Sequence, residues 1–177
     1  MASILAFAGS NSSKSINYQL VKHTASIIEG HKVHLLNMAN FPFPMFSEDY
    51  ERDNGYSNSL VELKNDMIKA DGIIVSVNEH NSAPSAYFKN LTDWLSRVER
   101  KFLDGKPVLL MSTSGGQRGG VSALEATKAV LPRFGADVAA TFTLPSFQEN
   151  FKEKAGIVNA ELAEEHRAAV DQFLSKL

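Results

Sequence analysis

Short apolar runs alternate with longer stretches whose apolar residues recur at helical spacing, and the alternation continues along the whole chain. The first apolar run is Ile4 to Ala8. After a turn, a helical pattern runs from about Ile16 to Glu29, with Leu20, Ala25, Ile27 and Ile28 among its apolar positions. Lys32 to Leu36 predicts a second strand, and an irregular Phe/Pro-rich segment, Phe41 to Phe46, follows it. Ser57 to Ala70 predicts a helix with Leu60, Leu63, Met67 and Ile68 spaced for one face. The third strand, Gly72 to Val77, is β-branched and apolar on both faces, as a central parallel strand should be. A helix around Ser85 to Val98, a fourth strand Pro107 to Ser112, a helix from about Val121 to Phe134, a fifth strand Asp137 to Leu144 and a last amphipathic helix, roughly Val158 to Leu177, complete the pattern.

Strands that alternate with helices predict a parallel sheet wrapped by helices, an α/β architecture. Five strands favour the flavodoxin-like three-layer sandwich, with a five-stranded parallel sheet in the order 2-1-3-4-5, helices on both faces, and one domain over residues 1–177. Ligands in such sheets bind beyond the carboxyl ends of the strands, where the strand order reverses. Here that is the crevice between strands one and three, so the loops after strands one, three and four carry the chemistry.

Composition narrows the function. The 177 residues are 44% hydrophobic and 21% charged, and none is cysteine, which excludes disulfides, thiolate metal sites and a cysteine nucleophile. A formal net charge of −2 argues against a nucleic-acid or anionic-membrane partner. No apolar run is long enough to span a bilayer. The N-terminal residues read as a strand rather than a basic leader, so the expectation is a cytoplasmic protein. His31 and His34 lie three apart at the second strand, with side chains to opposite faces, and are not read as a metal site. Glu161, Glu164, Glu165, His166 and Arg167 read as the solvated face of the last helix.

The loop after strand one, Gly9 to Asn17, is rich in hydroxyls and amides and opens a helix. A helix N-terminus offers unpaired N–H groups and partial positive charge, which suits a phosphate; the same residues are also good helix caps. Neither the Walker spacing nor G-x-G-x-x-G is present. The loop after strand three, Asn78-Glu79-His80-Asn81, consists of side chains that can hydrogen-bond. The loop after strand four, Ser112 to Gly120, holds Gly115, Gly116, Gly119 and Gly120, whose bare backbone would let a planar ligand approach. One phosphate site and two polar rims for a flat ring fit a mononucleotide with an aromatic headgroup.

Three motifs in this order make the sequence resemble the NADPH-dependent FMN reductase family, which includes quinone, azo-dye and chromate reductases. Gly9-Ser10 followed by Ser15 and Asn17 is similar to the family's G-S-x-R-x-x-S-x-N loop. Glu79 and Asn81, then Lys89-Asn90 and Asp93-Trp94, resemble P-E-Y-N and L-K-N-x-x-D-W at the same spacing, and Gly115-Gly116 with Gly119-Gly120 matches the family's glycine loop. Ser12 stands where the family has arginine, with Lys14 a possible substitute; Asn78 and His80 stand where it has proline and tyrosine.

The resemblance implies bound FMN, with NADPH or NADH as hydride donor, and ping-pong transfer to a small acceptor: a quinone, azo compound, chromate, nitro compound or free flavin. It implies that Ser10, Ser12, Ser15, Ile16 and Asn17 hold the phosphate, that Asn78, Glu79, His80 and Asn81 line the ring near N5, and that Thr113, Ser114, Gly115 and Gly116 meet its pyrimidine side. His80 becomes a candidate proton donor to the acceptor; Arg118 is either a contact for a nicotinamide phosphate or, the favoured reading, a solvated loop charge; and the Phe41 to Phe46 segment is loop or core packing, with part of a dimer interface or a cover over a neighbour's flavin as the alternative. A homodimer or homotetramer is expected. Two rivals stand beside this reading. An electron-carrying flavodoxin would have a strongly acidic surface and aromatic walls for the ring. A flavin-free regulator of the receiver type would need acidic residues where Gly9-Ser10 and Asn78 stand.

Overall fold

The computed structural model describes all 177 residues, Met1 to Leu177. The chain runs β1 (Ser3–Ala8), α1 (Ile16–Ser26), β2 (Lys32–Leu36), a 3-10 turn at Met38–Asn40, α2 (Glu48–Asn54), α3 (Asn58–Lys69), β3 (Gly72–Val77), β4 (Glu79–His80), β5 (Ala83–Pro84), α4 (Ala86–Val98), β6 (Pro107–Thr113) and α5 (Val121–Val130). It continues through a 3-10 turn at Leu131–Phe134, β7 (Asp137–Leu144), α6 (Phe147–Asn150), β8 (Phe151–Lys152), β9 (Gly156–Ile157) and α7 (Ala160–Leu174). The main sheet is parallel in the order β2-β1-β3-β6-β7, the flavodoxin-like order expected. The reversal of strand order falls between β1 and β3, whose register pairs Ala8 with Ser76.

β1 and β3 sit inside the sheet, and every residue of β3 is buried. Alternate side chains of each strand therefore enter separate cores. Leu5, Phe7, Ile73, Val75, Val108 and Leu110 pack under α3, α4 and α5, while Ile4, Ala6, Ile74, Leu109 and Met111 pack under α1 and α7. Burial of this apolar surface from both sides is the main force fixing the register, since a one-residue slip would exchange the two faces.

Several boundaries move for physical reasons. α1 ends at Ser26 rather than Glu29, yet Ile28 stays in the core. The helix expected to continue to Phe134 tightens into a 3-10 turn at Leu131, because Pro132 has no N–H to continue the ladder. α7 starts after Asn159, whose side chain caps it, and the residues before it form the β8–β9 hairpin. The loop after β3 is not open: Glu79–His80 and Ala83–Pro84 pair as a small hairpin. α2 was not anticipated; its seven residues bury nothing.

The largest correction concerns His166. It does not share the solvated face of α7 but is 1% exposed. His166, Ala169, Val170 and Phe173 form one buried stripe at helical spacing, around which the charged residues are threaded. Its ring stacks on His23, with centroids 5.6 Å apart, and its Nε2 lies 2.9 Å from Thr24 Oγ1. Burial holds both imidazoles below their ordinary value. His166 is pushed down to about 4, with the His23 and Arg167 charges adding to the effect. For His23, Arg167 adds to burial.

This lowering has a sign. Above pH about 6.5 both folded and unfolded His166 are neutral and its contribution to stability is complete. As pH falls towards about 4 the unfolded chain gains a proton that the native chain refuses, so stability declines and then levels off. Urea unfolding at pH 7 and at pH 4 should show a loss of which about 2–3 kcal/mol disappears in a His166→Leu variant.

Candidate functional site

Gly9 turns the chain out of β1. Its N–H donates to Ser76 O at 2.9 Å and its carbonyl accepts from Ser85 Oγ at 3.0 Å. A Cβ here would lie 2.5 Å from Phe88 Cδ2, so the residue must be glycine for α4 to close on β1. The serines beyond it organise their own loop: Ser10 Oγ accepts the Ser12 N–H, Ser12 Oγ the Lys14 N–H, and Ser15 Oγ, as N-cap of α1, the Tyr18 N–H. Each hydroxyl keeps its hydrogen to donate. The N–H groups of Ser10, Asn11, Ser13, Ile16 and Asn17 have no acceptor in the chain. Five bare donors therefore surround the positive end of the α1 dipole at the switch point.

The Asn17 side chain does not face this cradle. It is 2% exposed and serves the floor beneath it. Its Oδ1 accepts from Ser76 Oγ at 2.7 Å and from the Thr113 N–H at 3.1 Å, and its Nδ2 donates to Thr113 O at 3.1 Å. One amide thus joins α1 to the ends of β3 and β6. Thr113, expected at the ring, is likewise committed: its Oγ1 donates to Leu144 O at 2.7 Å. What these two residues can offer a ligand is main chain, through the Asn17 N–H.

In the β4–β5 hairpin, Asn81 and Ser82 have φ of 51° and 61° and form its two-residue turn, with both residues left-handed as a type I′ turn requires. His80 and Asn81 are exposed. Asn78 sits where the hairpin leaves β3; its carbonyl accepts the Ser85 N–H at 3.1 Å, but its buried side-chain Oδ1 has no partner in the chain. Glu79 turns away from the turn, and its Oε2 accepts the Ala123 N–H of α5 at 3.0 Å.

The glycine loop divides into two. Gly119 and Gly120 are buried, with φ of 60° and 80°, and a Cβ on Gly119 would stand 3.0 Å from the Leu144 carbonyl carbon. They satisfy backbone geometry and packing and are not available to a ligand. Gly115 and Gly116 are exposed, and the N–H groups of Ser114 and Gly115 are bare. Arg118 is exposed as expected, with Nη2 donating to Ser122 Oγ at 2.9 Å.

The Lys89-Asn90…Asp93-Trp94 motif proves structural. Asn90 Nδ2 and Trp94 Nε1 both donate to Pro44 O, at 2.9 and 2.7 Å, and Asn90 Oδ1 accepts the Phe46 N–H at 2.8 Å. These bonds staple the Phe41 to Phe46 segment to α4, and Phe41, Phe43 and Phe46 pack on the core beneath α3 and α4. Tyr87 adds to the staple by donating to Phe41 O at 2.8 Å, and burial pushes its phenol upward.

Sequence reasoning passed over Ser76, Ser85 and the Ser146–Gln148 turn. Ser76 was visible as one hydroxyl in an apolar central strand, and Ser85 as a cap before a helix. Ser146 is left-handed, with φ of 44°, and its N–H donates to Gly116 O at 2.9 Å, which no local signal announces.

Two kinds of unsatisfied group stand at this edge of the sheet: bare N–H donors of the kind a phosphate needs and, in Asn78 Oδ1, a buried acceptor with no partner in the chain. The residues fit the cofactor. Fold and site together define a flavodoxin-like protein with bare main-chain donors at its topological switch point. Residues 2–149 match the model of the NADPH-dependent FMN reductase family, and the chain belongs to that family.

Among curated relatives, a quinone reductase of Escherichia coli (strain K12) is 34% identical over 77 residues, covering 44% of this chain and 41% of that protein. An NADPH azoreductase of Bacillus sp. (strain OY1-2) is 33% identical over 113 residues, 63% of this chain and 58% of the relative. The chain thus spans about two fifths to three fifths of these relatives. Among solved structures, FerB, a flavoenzyme NAD(P)H:(acceptor) oxidoreductase from Paracoccus denitrificans, superposes with a TM-score of 0.80 at 23% identity, covering 99% of this chain and 96% of that one. Agreement at that identity speaks for the fold.

Replacing the buried amide tests its role as the floor of the site. Asn17→Ala should cost about 2–4 kcal/mol in urea unfolding, because the Ser76 hydroxyl and both Thr113 main-chain groups lose their partner together.

Proposed function

We propose that this chain is an NAD(P)H-dependent FMN reductase that acts on small acceptors of the quinone, azo, chromate or free-flavin kind. The observation that carries the reading is the row of bare N–H groups at Ser10, Asn11, Ser13, Ile16 and Asn17, set on a helix N-terminus where the sheet order reverses. The family match and the likeness to a quinone reductase and an azoreductase support the acceptor class.

When bound, FMN supplies the chemistry, hydride uptake from NAD(P)H and delivery to the acceptor in a ping-pong cycle. The chain supplies position and charge. The loop from Ser10 to Asn17 neutralises the phosphate with fixed dipoles and serine hydroxyls instead of the family arginine, with Lys14 exposed beside it. The bare Ser114 and Gly115 N–H groups would hold the ring and, as fixed donors, would favour negative charge on it. The unpartnered Asn78 side-chain oxygen is closed to solvent and would accept from a ring donor only after the side chain turns outward. The exposed His80 stands at the rim, where an acceptor would enter, and can hand it a proton. A homodimer or homotetramer completes the reading, on the resemblance alone.

The purified protein should show yellow flavin absorbance, or take up added FMN, and the bands should bleach rapidly on anaerobic addition of NADPH or NADH. Bands that bleach only with dithionite would favour the electron carrier, and a protein that binds no FMN would contradict the proposal. In the same assay His80→Asn should slow quinone turnover and alter its pH profile while leaving bleaching by NAD(P)H intact; unchanged turnover and profile would remove His80 from the mechanism.

A further inference from the structure

α5 begins without a cap of its own. Its N-cap is Gly120, left-handed and lacking a side chain, so the first N–H groups of the helix need an acceptor from elsewhere. Glu79 provides one from a different loop, its Oε2 accepting the Ala123 N–H at 3.0 Å. Gly120 has φ of 80°, and a Cβ there would crowd Ser112 Cβ at 3.3 Å while only touching Glu79 Cβ at 3.6 Å.

The glycine loop is held from three directions. Ser112 Oγ donates to Gly119 O at 2.8 Å from within β6. The Ser146 and Phe147 N–H groups donate to Gly116 O and Ser114 O, at 2.9 and 3.0 Å, from the end of β7. From the β4–β5 hairpin, the Glu79 carboxylate accepts the Ala123 N–H in the first turn of α5, directly after the loop. That bond ties the β4–β5 hairpin to the first turn of α5, the helix that follows the loop presenting the Ser114 and Gly115 donors.

We infer that Glu79 is a positioning residue: by capping α5 from the β3 loop it sets the separation of the two rims that meet the flavin ring, and its charge biases the ring's reduction. The inference rests on the FMN reading above. Two effects follow from one carboxylate. As an acceptor it tethers the glycine loop. As an anion it offsets the positive end of the α5 dipole and opposes the negative charge gained by a reduced ring nearby. Glutamine keeps the acceptor and the shape but not the charge; alanine keeps neither.

The test compares wild type, Glu79→Gln and Glu79→Ala by three measurements: amide hydrogen exchange over residues 114–123 without ligand, the FMN dissociation constant by fluorescence titration, and the midpoint potential of the bound flavin. Glu79→Ala should exchange faster over that segment and bind FMN about fivefold or more weakly, the scale of a lost helix cap. Glu79→Gln should match wild type in exchange and affinity yet have a more positive potential. Wild-type exchange and affinity in Glu79→Ala would overturn the inference, as would a Glu79→Gln protein that binds as weakly as Glu79→Ala with an unmoved potential. If Glu79→Ala does not fold, the affinity and potential of Glu79→Gln decide. If wild type itself binds no FMN, the functional reading falls, while the exchange measurement still decides whether Glu79 tethers the loop.

Discussion

The buried side-chain amide of Asn17 is the point on which the working edge of the sheet depends. Parallel strands are joined along their length by ladder bonds, but those bonds stop where the crevice begins. Beyond that point Asn17 continues the connection from α1, accepting from Ser76 at the end of β3 and exchanging two bonds with the main chain of Thr113 at the end of β6. In a site shielded from water, each of these groups would be costly to leave unpaired. The helix that offers its N-terminus to a ligand is thereby locked to the strands that form the rest of the site.

From that lock the division of labour follows. Side chains at the crevice mostly hold backbone in place, and backbone faces the ligand. Ser85 ties the first loop to the third, Ser112 and Glu79 hold the glycine loop, and Thr113 reaches to β7. The groups left bare include the N–H donors of Ser10, Asn11, Ser13, Ile16, Asn17, Ser114 and Gly115 and the side-chain oxygen of Asn78. Fixed dipoles cost no reorganisation when charge arrives, which suits a site that binds a phosphate dianion and tolerates a ring changing charge. The loss of the family arginine at Ser12 leaves that arrangement intact, because the donors are main chain.

The fold was legible because its cause is periodic. A β-branched run buried on both faces, such as Gly72–Val77, cannot be anything but an inner strand when helical patterns flank it. The site was legible as loops and less so as residues. Asn17, Thr113 and Glu79 were marked for the cofactor, but the side chain of each is committed to a partner far away in sequence, and hydrogen bonds of that reach leave no local pattern. The same holds for Gly119 and Gly120, which read as ligand glycines and serve packing against Leu144 and Ser112. His166 was misread because four charged neighbours masked a stripe of one histidine and three apolar residues at helical spacing.

The central claim is that the bare N–H groups at the start of α1 read a phosphate. Ile16 is the first residue of that helix, and Ser15 before it has φ of −61° and ψ of 118°, a conformation a residue preceding proline adopts readily. Ile16→Pro therefore deletes one donor while leaving the helix able to start. The measurement is calorimetric titration of FMN and of riboflavin into wild type, Ile16→Pro and an Ile16→Ala control. FMN should bind wild type at least about a hundredfold more tightly than riboflavin, and Ile16→Pro should narrow that gap about tenfold, the scale of one charge-assisted hydrogen bond, with Ile16→Ala leaving it unchanged. Equal affinity of wild type for FMN and riboflavin would contradict the account.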